Sequence, residues 1–231
     1  AVVEGHSVVV GSLRMLEMVA GDTADVDTLV KRMQDEGKTV MVVVVDGVLA
    51  GMMGLADTLK PHAGEAVEAL RSMGIRVMML TGDNARTAKA IAKQAGIDEV
   101  LAEVLPAQKS EAVKNLMSQG YRVAMVGDGV NDAPALATAD VGIAIGSGTD
   151  VAVESAGIVL LSEDLRKVVT ALKLSRQTMR KVKQNLFWAF IYNTVLIPVA
   201  AAGFLNPVLA AIAMALSSVS VLVNSLRLNV A

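Results

Sequence analysis

A glycine-rich turn with two aspartates, placed directly after a short apolar run, is the feature that most constrains this chain. The apolar run, Tyr121 to Met125, is typical of a buried strand. The turn, Val126-Gly-Asp-Gly-Val-Asn-Asp132, leads into small residues, Ala133 to Ala139, that can start a helix. A strand, a turn and a helix in this order predict an open α/β sheet, whose ligands bind at the carboxyl ends of its strands.

The residues of this turn favour a site for a metal ion and a phosphate. Mg²⁺ takes oxygen ligands and usually binds one or two carboxylates beside a substrate phosphate, and the turn offers Asp128 and Asp132. Gly127 and Gly129 let the backbone approach a ligand, while the Asn131 amide can orient phosphoryl oxygens. The alternative is a surface turn that is merely rich in Asp, Gly and Asn, and the length of the run argues against it.

From Leu55 onward, helical and strand-like segments alternate, which is the pattern of a parallel sheet with crossover helices. One buried strand, Ile75 to Leu80, ends at Thr81-Gly82-Asp83-Asn84, and a helix follows. A threonine hydroxyl and the N–H groups of a helix start suit a phosphate. The alternative is that Asp83 or Asn84 simply caps this helix. The remaining predicted elements are helices at about 62–73, 85–95 and 110–118, and strands at 140–145 and 157–161.

The first 54 residues combine strands and helices in another pattern. A strand at 7–10 and a helix candidate from Leu13 to Val19 come first, and a helix from about Asp25 to Glu36 follows. Two strands, 39–45 and 48–53, flank Asp46-Gly47, which is a strong signal for a two-residue hairpin turn. His6 is interpreted as an exposed loop residue.

Hydropathy separates the C-terminal part from the rest. The chain is 53% hydrophobic with a mean hydropathy of +0.52, and no charged residue occurs from Gln184 to Leu226. Residues 184–203 make about 30 Å of helix, which is enough to span a bilayer core, and residues 207–228 do so again. Basic residues precede the first span and Arg227 follows the second, so both outer ends are expected to be cytoplasmic. The alternative is a pair of buried helices in a soluble core.

Composition excludes some functions. The net charge of −2 gives no reason to expect nucleic acid as a partner. The chain has no cysteine, so it holds neither disulfides nor thiolate metal ligands. It begins in mid-pattern at Ala1 without an initiator Met, and we therefore expect it to be a piece of a longer protein.

These motifs, in this order, resemble the heavy-metal P-type ATPases of the copper class, from about Ser7 to Arg227. The two-aspartate turn is similar to the hinge motif of that family. The resemblance implies an α/β, haloacid dehalogenase-like phosphorylation domain, the end of an α+β nucleotide-binding domain and a C-terminal transmembrane helix hairpin. The implied divisions are the nucleotide-binding part at 1–54, the phosphorylation domain at 55–165, a basic amphipathic connector helix at 166–183, and transmembrane helices at 184–203 and 207–228.

The resemblance also implies a function, ATP-driven export of Cu(I) through an aspartyl-phosphate, with Mg²⁺ and ATP as cofactors. The implied catalytic residues are Thr81, Gly82, Asp83, Lys109 and Asn131. The implied Mg²⁺ ligands are Asp128 and Asp132, and Gly11 and Ser12 would touch the nucleotide where the family has Gly-Asn. The implied Cu(I) path is Tyr192, Asn193, Met214 and Ser217. Without the resemblance, Lys109 would be interpreted as an ordinary solvated lysine. The thioether of Met214 is a ligand type that suits Cu(I).

Two motifs of the family are absent from this sequence: the Asp-Lys-Thr-Gly-Thr run that carries the phosphorylated aspartate, and Cys-Pro-Cys. This chain alone is therefore expected to be inactive. The implied partners are ATP, Cu(I), the lipid bilayer, and the N-terminal part of the same pump or a copper chaperone acting through it. A multi-pass location in the plasma or inner membrane, with the globular part cytoplasmic, is expected. Alternatives are a zinc or cadmium P-type ATPase, and a membrane-tethered haloacid dehalogenase-like phosphatase or regulatory module.

Overall fold

The computed structural model describes residues 1–13, 15, 24–56, 59–128, 130–146, 154–204 and 206–228. The chain forms two compact units, Ala1–Val168 and Val169–Ala231. The boundary that we predict near residue 55 lies within the first unit and stays a prediction. Most of the helix predicted from Leu13 to Val19 lies outside the described residues, as does Gly129.

The first unit begins with a four-stranded antiparallel sheet of order β1-β2-β3-β4. Its strands are β1 Val2–Val3, β2 His6–Ser12, β3 Lys38–Val45 and β4 Val48–Ala56. The predicted hairpin is confirmed, because β3 and β4 pair across the Asp46-Gly47 turn. His6 begins β2 rather than lying in a loop, and its exposed ring contacts the Asp46 carboxylate at 2.6 Å.

A small apolar core lies between this sheet and helix α1, Ala24–Asp35. Alternate residues of β3, namely Val40, Val42 and Val44, are buried, and so is Val30 of the helix. The period of two on the strand places these valines on one face of the sheet. Burial of that face against the helix stabilises this part of the chain.

The α/β part contains two parallel sheets rather than the single sheet that we predict. In one, β5 Met78–Leu80 pairs with β6 Glu99–Leu101. The other has the order β7-β8-β9 and comprises β7 Ala124–Gly127, β8 Val141–Ile145 and β9 Ile158–Leu160. Among the described residues, β5 and β7 each pair along one edge only. The parallel strand direction is confirmed, whereas the continuity of the sheet is not.

Four helices accompany these sheets: α2 Ala63–Ser72, α3 Ala85–Ala95, α4 Pro106–Ser118 and α5 Ala133–Thr138. The start of α4 corrects our prediction, because the helix begins at Pro106 and not near Ser110. Proline is favourable in a first helical turn, where its missing N–H would have no helical acceptor. Lys109 therefore lies in the first turn of α4 and not in the loop before it.

Asp140 aligns the starts of β7 and β8. Its carboxylate accepts a hydrogen bond from the Val123 N–H at 2.9 Å and another from the Arg122 guanidinium. Both bonds lower the pKa of Asp140 below its usual value, and the bond from Val123 has the larger effect. Because Val123 and Asp140 directly precede their strands, this bond fixes the register at the end of the sheet opposite to the two-aspartate turn.

Helix α5 approaches β8 closely at Gly142. A Cβ atom at this position would lie 2.5 Å from the carbonyl oxygen of Leu136. Leu136 is 1% exposed and Ile143 is fully buried, so neither side can move aside freely. Glycine at position 142 therefore sets the position of α5 and of the 3-10 turn Val130–Asp132 that precedes it.

Two helices form the C-terminal part of the chain, α6 Arg166–Ala201 and α7 Pro207–Leu226. The connector and the first span, which we predict as separate elements, belong to the one helix α6. Among the described residues, no helix is both long enough and apolar enough to cross a membrane. The spans predicted at 184–203 and 207–228 are therefore not confirmed.

Polar side chains join α6 to α7. Asn185 donates to Ser225 Oγ at 2.8 Å and accepts from Asn224 Nδ2 at 2.8 Å. The Lys181 ammonium donates to Asn224 Oδ1 at 3.1 Å. These bonds hold the middle of α6 against the carboxyl end of α7. Because Tyr192, further along α6, contacts Ser220, which lies earlier in α7, the two helices run antiparallel.

We expect Gly142→Ala to destabilise the first unit, because the new methyl group would collide with the Leu136 carbonyl oxygen. The free energy of unfolding should fall by about 1–3 kcal/mol, as for other overpacked sites. Gly51→Ala is the matched control, since it changes another strand glycine with nothing within 4 Å of the added Cβ. Chemical denaturation of the intact chain measures both variants. Equal stability of the two variants would contradict the close approach.

Candidate functional site

The two-aspartate turn lies at the carboxyl end of β7, where we predict it. Asp128 directly follows the last residue of β7, and its side chain is 55% exposed. Asn131 and Asp132 belong to the 3-10 turn that leads into α5. Asn131 is exposed, whereas the Asp132 side chain is only 15% exposed. The two carboxylates thus share one turn but differ in their access to solvent.

Gly127 allows Asp132 to fold back against the strand. A Cβ atom at position 127 would lie 2.7 Å from the Asp132 Cβ and 2.8 Å from its Oδ2 atom. These distances are shorter than carbon–carbon and carbon–oxygen contacts allow. The glycine before Asp128 therefore makes room for the second carboxylate.

Lys109 lies against Asp132. Its Nζ atom is 2.7 Å from Asp132 Oδ1, and both side chains are 15% exposed. A charge-assisted hydrogen bond of this length is strong compared with one between neutral groups. The first turn of α4 and the turn after β7 are therefore joined at the two residues that we select from sequence.

Lys60 contacts the other carboxylate, and no motif in the sequence predicts this contact. Its Nζ atom lies 2.9 Å from Asp128 Oδ2. The two residues are 68 positions apart in the chain, and no periodicity or motif spacing connects them. The only local signal is a lysine before Pro61 at a helix start, which many surfaces share.

The Thr81 turn is closed by its own side chains. Thr81 Oγ1 donates to Asp83 Oδ2 at 2.7 Å and accepts from the Asp83 N–H at 3.1 Å. The backbone of this turn also pairs with the segment before α4, since the Val104 N–H donates to Thr81 O and the Glu103 N–H donates to Asp83 O. The Thr81 turn and the helix that carries Lys109 are therefore neighbours.

Asn84 caps α3, as the alternative interpretation of this turn expects. Its Oδ1 atom accepts from the N–H groups of Arg86 and Thr87 at 3.1 and 3.0 Å. Those two donors are satisfied by the cap. A phosphate at this turn would therefore depend on Thr81 and Gly82 more than on the amino end of α3.

The predicted nucleotide residues lie in the antiparallel sheet. Gly11 pairs with Val42 and Ser12 pairs with Met41, at the end of β2. The sheet meets the α/β part at α3, where Thr87 Oγ1 donates to the Lys38 carbonyl oxygen at 3.0 Å. The contact of Gly11 and Ser12 with a nucleotide stays a prediction.

The predicted copper residues divide between two environments. Tyr192 and Ser217 are half-buried, whereas Asn193 is exposed and Met214 is 72% exposed. The Tyr192 hydroxyl contacts Ser220 Oγ at 3.1 Å, and the Asn193 amide donates to the Ala189 carbonyl oxygen at 3.0 Å. No pattern in the sequence predicts Ser220 as the partner of Tyr192 either.

The donor set around the β7 turn fits Mg²⁺ rather than a metal held by protein ligands alone. Among the described residues, no group of three or more His, Asp or Glu side chains could hold a metal ion. Mg²⁺ needs only one or two carboxylates when a substrate phosphate completes its shell. Both carboxylates of the turn already accept a cation, in the form of the Lys60 and Lys109 ammonium groups.

Comparison with known proteins identifies the family. A family model described as a haloacid dehalogenase-like hydrolase matches residues 4–140. The chain belongs to the haloacid dehalogenase-like hydrolases. The matched residues include the Thr81 turn, Lys109 and the two-aspartate turn.

Similar proteins narrow this assignment. The chain is 51% identical over 225 residues to a copper-exporting P-type ATPase of Bacillus subtilis (strain 168), covering 97% of this chain and 28% of that protein. It is 54% identical over 232 residues to a probable copper-exporting P-type ATPase V of Mycobacterium tuberculosis, covering 99% of this chain and 30% of that protein. The resemblance to the P-type ATPases is thus confirmed, and the chain spans less than a third of these relatives.

Solved structures agree with the family. A zinc-transporting PIB-type ATPase in the E2.Pi state is 38% identical, with a TM-score of 0.79 over 98% of this chain and 36% of that one. A second structure of a zinc-transporting PIB-type ATPase gives a TM-score of 0.75 at 36% identity, with the same coverage of 98% and 36%. The fold described above is therefore similar to that of the matching third of these PIB-type ATPases.

We expect Gly127→Ala to weaken binding of a divalent ion, because the added methyl group would push the Asp132 carboxylate out of the turn that it shares with Asp128. The affinity of the intact chain for Mn²⁺ should fall about 10- to 100-fold, as when a metal ligand loses its support. The affinity is measured from the electron paramagnetic resonance signal of free Mn²⁺. Gly157→Ala is the control, since its Cβ would meet only the Gly142 carbonyl oxygen at 3.9 Å. Unchanged affinity in Gly127→Ala would refute this role of the glycine.

Proposed function

We propose that this chain is the C-terminal part of an ATP-driven Cu(I) export pump that works through an aspartyl-phosphate. The observation that carries the proposal is the pairing of Lys109 with Asp132 at 2.7 Å on the turn that also holds Asp128. It brings a cation and two carboxylates to one strand end, as phosphoryl transfer requires. The names of the relatives that are 51% and 54% identical support the pump and its copper cargo.

Each residue of the β7 turn has a proposed role. Asp128 and Asp132 would hold Mg²⁺, which would offset negative charge on the phosphate. Lys109 offsets negative charge on the phosphoryl oxygens, and its ammonium is a compact charge that reaches them from the first turn of α4. Asn131 is exposed and orients the phosphoryl group by its amide.

The Thr81 turn positions the phosphate from the other side. Gly82 presents its backbone N–H to the phosphate, and Asp83 holds the Thr81 hydroxyl beside it through the 2.7 Å hydrogen bond. The Thr81 hydroxyl would turn from Asp83 to donate to the phosphate when one is bound. Gly11 and Ser12 contact the nucleotide at the end of β2. ATP is thereby held between the antiparallel sheet and the α/β part of the first unit.

The nucleophile comes from another part of the longer protein, since these 231 residues hold no Asp-Lys-Thr-Gly-Thr run. The free edges of β5 and β7 suggest where this nucleophile lies. Among the described residues, β5 and β7 each have one edge without a partner, and both end in a proposed phosphate turn. A parallel strand between β5 and β7 would pair with both edges and would end beside Thr81 and Asp128. We propose that the phosphorylated aspartate lies on that strand.

The copper path is proposed for α6 and α7. Tyr192, Asn193, Met214 and Ser217 supply hydroxyl, amide and thioether groups, and no charged residue occurs from Gln184 to Leu226. The soft Met214 thioether suits Cu(I), and a path without charged side chains is less suited to a doubly charged ion. The exposed Met214 and Asn193 would meet ligands from other helices of the pump.

The same two helices are proposed to lie in the membrane as part of a multi-pass protein of the plasma or inner membrane, with the first unit in the cytoplasm. Many large apolar side chains are exposed on them, including Phe187, Phe190, Ile197, Leu222 and Leu226. Burial of such surface in lipid is favourable. Protease protection of the C-terminal part in sealed vesicles tests this placement, and cleavage throughout residues 184–226 would refute it.

In the longer protein, Asp128→Asn should abolish formation of acid-stable phosphoprotein from ATP. Loss of the Mg²⁺ carboxylate removes several kcal/mol of transition-state stabilisation, so the rate should fall at least about 100-fold. Asp27→Asn removes a carboxylate from the exposed face of α1 and should leave the rate unchanged. Rapid-quench phosphorylation with labelled ATP measures both. A normal rate in Asp128→Asn would refute the assignment.

Met214→Leu in the longer protein should separate transport from phosphate chemistry. Loss of the thioether should reduce Cu(I)-stimulated turnover about tenfold or more, while phosphorylation by inorganic phosphate is retained. Met179→Leu is the matched control, because Met179 is also exposed on a helix but lies outside the proposed path. Equal loss of both activities in Met214→Leu would contradict this division of roles. Stimulation by Zn²⁺ in place of Cu(I) would favour a zinc pump, as in the structural relative.

A further inference from the structure

The contact between Lys60 and Asp128 has no part in the proposed phosphoryl transfer. Lys60 Nζ lies 2.9 Å from Asp128 Oδ2, on the carboxylate assigned to Mg²⁺. Lys60 belongs to the connection between β4, which ends at Ala56, and α2, which begins at Ala63. The contact therefore ties the connection between the antiparallel sheet and the α/β part to the proposed metal site.

The two lysines at the β7 turn differ in how firmly they are held. Lys109 and Asp132 are each 15% exposed, whereas Lys60 is 32% exposed and Asp128 is 55% exposed. Water screens an exposed ion pair, so such a pair adds little to stability. A more enclosed pair is costly to separate, because each charge is left without its partner in a poorly hydrated place. A second cation can therefore displace Lys60 more readily than Lys109.

Charge balance gives a reason for the exchange. The two carboxylates and the two ammonium groups cancel, so the turn is neutral before any metal ion arrives. A divalent ion at Asp128 would meet the Lys60 ammonium at the same carboxylate, and like charges at such distances repel strongly. Departure of Lys60 relieves that repulsion and leaves a carboxylate oxygen for the metal.

If the Lys60 side chain leaves Asp128, the backbone next to Lys60 at the start of α2 is affected. The Lys60 carbonyl oxygen accepts the hydrogen bond of the Ala63 N–H at 3.1 Å, at the start of α2. His62, between them, has a φ of +62°, a conformation that a non-glycine residue rarely adopts. The Lys60 side chain thus anchors a tightly turned connection at one point, the carboxylate of Asp128.

We propose that Lys60 is a placeholder cation for Asp128, which a divalent metal ion displaces, so that metal binding releases the connection between β4 and α2 from the β7 turn. This inference rests on the proposed Mg²⁺ role of Asp128. It assigns Lys60 a positioning role that couples the metal site to the link between the two parts of the first unit.

Metal affinity of the intact 231-residue chain tests the competition. Lys60→Met removes the competing charge, and Mn²⁺ should bind about two- to fivefold more tightly, the range expected from an exposed ion pair. Lys60→Arg keeps the charge and should restore the affinity of the unmodified chain. Lys114→Met, on the exposed face of α4, removes the same charge away from Asp128 and should leave the affinity unchanged. Equal affinity in Lys60→Met and the unmodified chain would overturn the proposal.

Hydrogen exchange of the peptide that contains the Ala63 N–H tests the release. Mg²⁺ should speed its exchange in the unmodified chain, whereas Lys60→Met should exchange rapidly without Mg²⁺. Exchange that Mg²⁺ leaves unchanged, in a chain that binds Mn²⁺, would overturn the release of the connection.

Asp128→Asn separates this inference from the proposed function. If this variant binds Mn²⁺ as tightly as the unmodified chain, the Mg²⁺ assignment fails and the Lys60 proposal fails with it. If Asp128→Asn loses Mn²⁺ but Lys60→Met gains no affinity, the Mg²⁺ assignment stands and only the placeholder role is overturned.

Discussion

Two carboxylates on one short turn repel each other, and the site of this chain depends on how that repulsion is offset. Each aspartate has its own lysine: Asp132 contacts Lys109 at 2.7 Å, and Asp128 contacts Lys60 at 2.9 Å. The lysines come from different places, one from the first turn of α4 and the other from the connection before α2. The two ion pairs thereby hold the start of α4 and the connection before α2 against the turn at the carboxyl end of β7.

Backbone contacts that only glycine allows set the geometry of this turn. Gly142 lets α5 rest on β8, and Gly127 lets Asp132 fold back on β7. Both contacts place atoms closer than a Cβ would permit. Asp140 completes the arrangement by fixing where β7 and β8 begin. The carboxylates of the turn are therefore positioned in large part by two glycines that have no reactive side chain.

The sequence was sufficient for elements with a strong local signal. The hairpin at Asp46-Gly47, the strand direction of the α/β part and the helix that starts at Ala133 follow from turn chemistry and periodicity. It was insufficient for β6, whose three residues form no apolar run, and for the start of α4, where Pro106 extends the helix toward Lys109. Hydrophobic periodicity and turn residues indicate which residues are buried and where the chain turns. A strand of three residues is too short to show such a periodicity.

Partners distant in sequence could not be predicted at all. The family resemblance points to Lys109, but its contact with Asp132 is a product of the fold. Nothing in the sequence points to Lys60, because 68 residues separate it from Asp128. The same reason applies to Ser220, which meets Tyr192 through the pairing of α6 with α7. Periodicity indicates the face that a side chain occupies, but not the residue that it meets there.

The split between the two parallel sheets has a consequence for the chain in solution. Along β5 and β7, one row of main-chain donors and acceptors has no partner strand among the described residues, and such an edge is a template for another strand. If one parallel strand enters between β5 and β7, as proposed, it satisfies both edges at once. Until such a segment arrives, water must satisfy the main-chain groups along both edges, so the short sheets gain much of their cooperativity only when the segment joins them.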